Sequence, residues 1–257
     1  MSSSKPSSSF SSTMSLTTQA AAGDVADGDM DYDLVDEAAF FGRRKGKRLR
    51  AYQAGLIETL LPKLAVDVSK AIDPASLFSK TPARLVLEIG FGGGEHLVTE
   101  ALRDKDTGFI GCEPFVNGMA KALACIADDD IGNIRLHMGD ATDLINRLPD
   151  ACLDQVYLLY PDPWPKRRQR KRRFVSDAMV EKLARVLKPG GEFRFATDID
   201  DYSGWTLVRV MRSAHFNWPA RQSSDWLNPW AGWRSTRYEQ KAQREGRPSV
   251  YLTFLRS

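Results

Sequence analysis

The sequence predicts an α/β fold in which helices flank a mostly parallel sheet, and two observations support this prediction. After residue 82, short apolar runs of strand length alternate with longer segments of helical periodicity, a pattern typical of parallel α/β sheets. The first of these runs leads directly into a glycine-rich turn and then a helix. The chain has 257 residues, 42% of them hydrophobic, which suffices for one such domain and a tail.

Strands and helices are assigned in chain order from the length and period of each apolar run. Predicted strands cover residues 84–89, 108–112, 134–138, 155–159, 192–196 and 250–255. Predicted helices cover residues 95–102, 115–127, 141–147 and 174–187. The last of these helices is expected to end at Lys188-Pro189-Gly190-Gly191, since proline and glycine do not continue a helix.

The first forty residues differ in composition from the rest of the chain. Residues 1–40 are rich in Ser, then in Ala, Gly and Asp, and have no apolar period, so we expect a disordered tail. Their one lysine and seven acids do not fit an Arg-rich, acid-poor transit peptide. The folded domain is predicted over residues 41–257, with a basic segment and helix at 41–82 and the core at 83–257. In that helix, Leu56, Leu60 and Leu64 recur at helical spacing.

Charge is divided unevenly along the chain. The tail has a net charge of −6 and the whole chain +3, so residues 41–257 carry +9. Such an excess favours a polyanionic partner. Residues 43–50 and 166–173 each form a dense basic run; the first is either a nucleic-acid contact or ordinary solvated surface, whereas the second, with seven basic residues of eight, suits phosphate contact.

Several classes of protein are excluded by what the sequence lacks. No stretch approaches the ~20 apolar residues that a membrane-spanning helix needs. The few cysteines and histidines lie far apart, which supports neither disulfides nor a metal site. They are Cys112, Cys125, Cys152, His96, His137 and His215. We therefore expect a soluble, cytoplasmic protein without a bound metal.

A nucleotide-type site is predicted where the first strand ends. The strand runs into Gly90-Phe91-Gly92-Gly93-Gly94, where glycines allow close approach of a ligand. The third glycine of a G-x-G-x-x-G motif is replaced by Glu95, which argues against a dinucleotide.

Three acids lie in or just after the first three predicted strands and are expected to meet in one crevice at the carboxyl edge of the sheet. They are Glu88, Glu113 and Asp140. Each alone could be a helix cap. Together with the glycine turn they favour a cationic, phosphate-free nucleoside cofactor, and S-adenosylmethionine is one.

The segment after the fourth predicted strand indicates which class of substrate the protein binds. Pro161, Pro163 and Pro165 fix the chain there, so Asp162 and Trp164 are expected at the mouth of the crevice. The basic run 166–173 follows at once.

With these motifs the sequence resembles the bacterial tRNA (guanine-N7)-methyltransferases, from about residue 41 to the C-terminus. The motifs that carry the resemblance are LEIGFGGGEHL, GCEP, YPDPWPKRRQRKRR, FATDIDDY and STRYEQKAQREG. The resemblance implies a Rossmann-like class I methyltransferase fold, a mostly parallel seven-stranded sheet whose last strand is antiparallel. It also implies methyl transfer from S-adenosylmethionine to guanosine N7 in the tRNA variable loop, by a monomer or homodimer that needs no partner subunit.

The same resemblance assigns roles to individual residues. It implies a cofactor site and a separate set of contacts to the acceptor guanosine. The cofactor site would comprise Glu88, Gly90, Gly92, Glu113, Asp140 and Asp162, and the substrate contacts Lys166, Asp198, Thr236, Arg237, Tyr238 and Glu239. Asp162 is then also the expected catalytic residue, either stabilising the cation that develops on the purine or accepting hydrogen bonds from guanine.

Some alternatives stay open from the residues alone. Asp198 either reads a base or caps the following helix. Residues 236–239 are expected in a loop that folds over the acceptor base. The rival functions are an adenine-N6 or cytosine-N4 methyltransferase, which would place Asp-Pro-Pro-aromatic at this strand end, a non-catalytic RNA-binding protein of the same fold, and a dehydrogenase.

Overall fold

The computed structural model describes Gly42 and residues 44–257, so the predictions for residues 1–40 lie outside the described residues. Seven strands form one sheet: β1 (Arg84–Ile89), β2 (Thr107–Cys112), β3 (Ile134–His137), β4 (Leu153–Leu159), β5 (Leu187–Thr197), β6 (Phe216–Asn217) and β7 (Val250–Arg256). Their order across the sheet is β3-β2-β1-β4-β5-β7-β6. β7 runs antiparallel to both of its neighbours, β5 and β6, and the other pairs of neighbouring strands are parallel, so the last strand is antiparallel as the resemblance implies.

The helices of the described chain connect these strands. They are α1 (Ala51–Thr59), α2 (Leu61–Leu64), α3 (Glu95–Arg103), α4 (Val116–Asp128), α5 (Ala141–Arg147), α6 (Asp177–Val186), α7 (Asp200–Arg212), α8 (Ser224–Leu227) and α9 (Arg237–Arg244), with 3-10 turns at Pro74–Leu77 and Arg167–Arg172. Apolar side chains alternate between the two sheet faces, so each face has its own core. Leu87 and Val156 pack in one core, and Val86 and Tyr157 pack in the other.

The parallel strands end at the same edge of the sheet. Ile89 pairs with Cys112 on one side and Leu158 on the other, and Cys112 pairs in turn with His137. The segments that follow β1 to β5 therefore emerge together, which is where ligands bind in open α/β sheets.

Two predicted boundaries differ from the structure by three residues or more, for local reasons. The helix expected from residue 174 begins at Asp177, because the Ser176 hydroxyl accepts a hydrogen bond from the Met179 amide, 3.1 Å away, and caps α6 there. β5 begins at Leu187 rather than residue 192, because Leu187 already pairs with Leu153 before a bulge in β4. β6, only two residues long, is too short to show an alternating pattern and was not located from the sequence.

Candidate active site

The turn after β1 is locked by two neighbouring segments. Gly90 and Gly92 have φ angles of 69° and 59°, which side chains rarely adopt. The Gly92 amide donates to Glu113 Oε2 at 2.7 Å. From α4, Gly118 approaches so closely that a Cβ on it would lie 2.2 Å from the Gly92 carbonyl oxygen. The glycine turn is thus held in one conformation, with its backbone open to a ligand.

Glu113 follows β2 and faces this turn. Its Oε1 accepts from the Phe115 amide at 2.8 Å while its Oε2 accepts from Gly92. Burial raises the pKa of the Glu113 carboxyl, the two backbone donors oppose that rise, and the negative charge of Asp162 adds to it. Each oxygen keeps a second lone pair, so the group can still accept from hydroxyls of a ligand. The carboxylates of Glu113 and Asp162 therefore lie near enough for their charges to interact at this edge of the sheet.

Asp140 caps α5 at the end of β3. Its Oδ1 accepts from the Thr142 amide at 2.8 Å, so the helix-cap interpretation considered for the acids is correct for this residue. The neighbouring strand end is tied to the same place, because Cys112 Sγ donates to the Gly139 carbonyl at 3.3 Å. The charges of Asp140 and Glu113 both add to the rise in the pKa of the Cys112 thiol, whose main cause is burial. The strand ends bring these two acids together.

Glu88 lies in a different environment from the other acids. It is 3% exposed, and its Oε2 lies 2.8 Å from Nδ1 of His96, which is 6% exposed. The His96 ring meets Tyr157 edge-on at 4.6 Å between centroids and packs against Trp233 at 5.1 Å. Sequence reasoning did not pair Glu88 with His96, although the two residues are only eight positions apart.

The loop that carries Asp162 is strained and clamped. Tyr160 and Trp164 both have positive φ angles, 50° and 41°, on either side of the loop. The Tyr160 amide donates to the Ala196 carbonyl at 2.8 Å, and Arg173 Nε donates to the Pro163 carbonyl at 2.9 Å. Asp162 is exposed at the crevice, and partial desolvation raises the pKa of its carboxyl. The prolines and these bonds hold Asp162 in place.

The basic run divides into exposed and buried members. Lys166, Arg167, Arg168 and Lys171 are exposed beside the Asp162 loop. The Arg173 side chain is fully buried and forms an ion pair with Asp201. The prediction of phosphate contact therefore applies to the exposed members, whereas Arg173 supports the loop. Sequence alone could not separate them, because all carry the same charge.

The first basic segment is hydrogen-bonded to the start of α4. The Val116 amide at the start of α4 donates to the Arg44 carbonyl at 3.0 Å. Asn117 holds the same segment twice, accepting from the Gly46 amide at 2.7 Å and donating to the Lys47 carbonyl at 2.6 Å. The exposed cations of residues 44–50 are therefore held beside the start of α4, which follows Glu113 closely in the sequence.

Asp198 does not cap the next helix. The N-cap of α7 is Ile199, whose amide donates to Thr197 Oγ1 at 3.2 Å. Asp198 Oδ2 instead accepts from Arg247 Nε at 2.7 Å, so the N-cap alternative is wrong. Arg247, 49 positions away, was missed because nothing in the local pattern links it to Asp198.

Residues 236–239 begin a helix, so the predicted loop is wrong. Thr236 is the N-cap of α9, and its hydroxyl accepts from the Glu239 amide at 3.2 Å. The Thr-x-x-Glu spacing is that of a capping box and could have revealed this start. Here, however, the buried Glu239 carboxylate accepts from Trp233 Nε1 at 2.7 Å and from the Tyr251 hydroxyl. Glu239 therefore anchors α9 to the sheet.

The first turn of α9 covers the glycine turn. A Cβ built on Gly92 would lie 3.1 Å from Arg237 Nη2 and 3.4 Å from Tyr238 Cε2. Arg237 also lies 3.7 Å from Glu95 at the start of α3. Two segments far apart in sequence therefore form the two walls of one site.

Two structural features are absent from the described residues. No helix in this part of the chain is long and apolar enough to cross a bilayer. Within the same residues, no cluster of three or more His, Cys, Asp or Glu side chains is arranged to hold a metal ion.

Comparison with known proteins finds close relatives over most of the chain. A family model described as "Putative methyltransferase" matches residues 82–252. The tRNA (guanine-N(7)-)-methyltransferase of Nitrobacter hamburgensis is 58% identical over 222 residues, 86% of this chain and 87% of that protein. The protein of the same name from Rhizobium meliloti is 56% identical over 221 residues, 85% of this chain and 95% of that one.

A solved structure supports the fold alone. The 16S rRNA methyltransferase KamB superimposes with a TM-score of 0.50 at 18% identity, covering 84% of this chain and 99% of that one. Sheet order, glycine turn and acidic crevice together define a class I methyltransferase. Within that class, this chain belongs to the family of tRNA (guanine-N7)-methyltransferases.

Proposed function

We propose that this protein transfers a methyl group from S-adenosylmethionine to N7 of a guanosine in the variable loop of tRNA, with Asp162 as the catalytic residue. The position of Asp162 carries the proposal. Asp162 shares the crevice with Glu113 and stands next to the exposed basic residues that follow it. In this arrangement the cofactor and the tRNA would both come close to the carboxylate of Asp162. The same proposal places the enzyme in the cytoplasm, acting without a partner subunit.

The crevice fits the cofactor on several observations. Gly92 presents bare backbone beneath Arg237 and Tyr238, where a side chain would close the space. Glu113 keeps lone pairs for ribose hydroxyls, and Asp140 lies at the neighbouring strand end, where it can accept from an adenine amine. The acids suit the positive charge of a sulfonium. When bound, the cofactor supplies an electrophilic methyl group.

Guanine N7 has a free in-plane lone pair, so the chain needs no general base to create a nucleophile. The N7–carbon bond forms as the carbon–sulfur bond breaks, and the positive charge passes from sulfur to the purine. The clamped Asp162 carboxylate stands where it can stabilise that charge. Orientation of N7 in line with the methyl group supplies the other contribution.

Asp162 could instead accept from guanine N1–H and the exocyclic amine, and an acceptor analogue separates the two roles. Inosine lacks that amine but keeps N7. If Asp162 holds the amine, inosine at the acceptor position lowers the kcat/KM of the wild type but not the residual kcat/KM of Asp162→Ala, which has no acceptor there. If Asp162 acts through its charge, both enzymes respond equally to inosine.

The test of the function itself is methyl transfer from labelled S-adenosylmethionine to unmodified tRNA, followed by nucleoside analysis. 7-Methylguanosine confined to the variable loop is the expected product. Methylated adenosine or cytidine would show instead that the enzyme methylates adenine N6 or cytosine N4. Binding of tRNA with no transfer would leave an RNA-binding protein.

A further inference from the structure

Arg237 is fixed directly above the glycine turn. It is the first residue of α9, between the N-cap Thr236 and the buried anchor Glu239. Its Nη2 lies 3.1 Å from the point where a Cβ on Gly92 would stand. The guanidinium therefore borders the space that Gly92 leaves open by having no side chain.

The guanidinium of Arg237 has unused donors at this place. Its Nε is buried and has no hydrogen-bond partner. Glu95 Oε1 is 3.7 Å from that nitrogen, too far for a hydrogen bond. Nη2 has only a 3.4 Å contact to the Tyr238 hydroxyl. A buried donor without an acceptor is unfavourable, so the site is suited to an anionic group that enters above Gly92.

The charges around the crevice indicate which part of the cofactor would bind Arg237. Glu113 and Asp162 make the crevice acidic, and the positive charge of Arg237 opposes the rise that burial causes in the pKa of the Glu113 carboxyl. Those acids suit the amine and sulfonium of S-adenosylmethionine and its ribose hydroxyls, but they repel its carboxylate. A planar guanidinium binds a carboxylate through two parallel hydrogen bonds.

We propose that Arg237 binds the α-carboxylate of the cofactor rather than the acceptor guanosine. The inference rests on the proposed function, since it takes S-adenosylmethionine as the cofactor. It differs from the substrate role that the resemblance implies for Arg237, and the experiment below distinguishes the two. Glu95 has a defined part in it: its carboxylate holds Arg237 over the turn and is exchanged for the carboxylate of the cofactor on binding.

The experiment compares two ligands that differ in one group. S-Adenosylhomocysteine carries the carboxylate, and its decarboxylated form, 5′-deoxy-5′-(3-aminopropylthio)adenosine, lacks only that group. Calorimetric affinities for both are measured on the wild type, Arg237→Met and Arg237→Lys. Arg237→Met is expected to bind S-adenosylhomocysteine roughly 10- to 100-fold more weakly and the decarboxylated form unchanged within about 2-fold. Arg237→Lys keeps the positive charge but cannot form two parallel hydrogen bonds, so its affinity for S-adenosylhomocysteine is expected to lie between those of the wild type and Arg237→Met.

Arg234→Met is the matched control. Arg234 is exposed and lies three positions earlier, so its loss should leave both affinities unchanged. Glu95→Gln removes the competing carboxylate and is expected to bind S-adenosylhomocysteine at least as tightly as the wild type.

Three outcomes would overturn the inference. Equal loss of affinity for both ligands would mean that Arg237 only supports the fold. Unchanged affinity for S-adenosylhomocysteine together with weaker tRNA binding would assign Arg237 to the acceptor. A wild type that binds neither ligand would refute the proposed cofactor itself, and the inference with it.

Discussion

Arg173 Nε donates a 2.9 Å hydrogen bond to the Pro163 carbonyl oxygen, which ties the end of the basic run to the loop that carries Asp162. The guanidinium also pairs with Asp201 and lies over the rings of Tyr202, at 4.7 Å, and Trp205, at 5.0 Å. One buried cation thus joins the Asp162 loop to α7.

Arg173→Met should therefore lower turnover without weakening tRNA binding much. It removes the hydrogen bond to the loop and the stacking on α7, and we expect a loss of about 1 to 3 kcal/mol in the free energy of unfolding. Single-turnover methyl transfer gives the rate, and fluorescence anisotropy gives tRNA affinity. A variant with normal turnover but much weaker tRNA binding would show that Arg173 contacts phosphate.

Arg168→Gln should change the salt dependence of tRNA binding. Arg168 is exposed in the same run, and removing one phosphate-binding cation lowers the slope of log K against log salt by roughly 0.7 to 0.9. Titrations over a series of KCl concentrations measure this slope. Lys105→Gln, at the amino end of β2 and away from the crevice, is the control and should leave it unchanged. An unaltered slope for Arg168→Gln would show that Arg168 does not contact RNA phosphates.

Glu239→Ala should destabilise the protein as well as slow it. The buried carboxylate accepts from Trp233 and Tyr251, and its loss removes the acceptor of one buried and one half-buried donor, which costs about 1 to 3 kcal/mol in the free energy of unfolding. Urea unfolding measures the free energy, with the exposed Gln240→Ala as control. If Glu239→Ala kept its free energy of unfolding but lost activity, Glu239 would be assigned a direct contact with the acceptor guanosine.

Stability should depend on pH through Asp162. Desolvation raises the pKa of its carboxyl, so the folded state holds this proton more tightly than the unfolded chain does. The contribution of this group to the free energy of unfolding therefore decreases as pH rises from the ordinary aspartate pKa through the raised value. Asp162→Asn should be more stable than the wild type at neutral pH, and the difference should vanish below the ordinary value.

Urea unfolding of both proteins over a pH series tests this expectation. A difference in stability that stayed constant across the series would show that Asp162 is not desolvated. The variant should in either case turn over far more slowly than the wild type, since it lacks the carboxylate.

Strong local signals in the sequence predicted much of the fold. β1 and α5 have the predicted bounds, because β1 is a short, mostly apolar run that ends at the glycine turn and α5 begins after a capping aspartate. The meeting of Glu113 and Asp162 was also predictable, because carboxyl ends of parallel strands share an edge.

Other features depend on contacts between distant segments and were not predictable. The pattern of residues 166–173 does not reveal that Arg173 is buried, since burial depends on Tyr202 and Trp205 of α7. The Asp198–Arg247 pair and the cover of α9 over Gly92 likewise arise only once β7 has returned beside β5. Only the helical start at Thr236 had a local signal.

Side chains in contact run continuously from β1 to α9. Glu88 contacts His96, the His96 ring packs on Trp233, and the Trp233 indole donates to Glu239 at the base of the turn that carries Arg237. Glu88 is thus connected to the first turn of α9 through the side chains of His96, Trp233 and Glu239. Trp233 therefore stands between the strand that precedes the glycine turn and the helix that covers it, so its indole becomes an optical probe of that turn once the other five tryptophans of the chain are replaced.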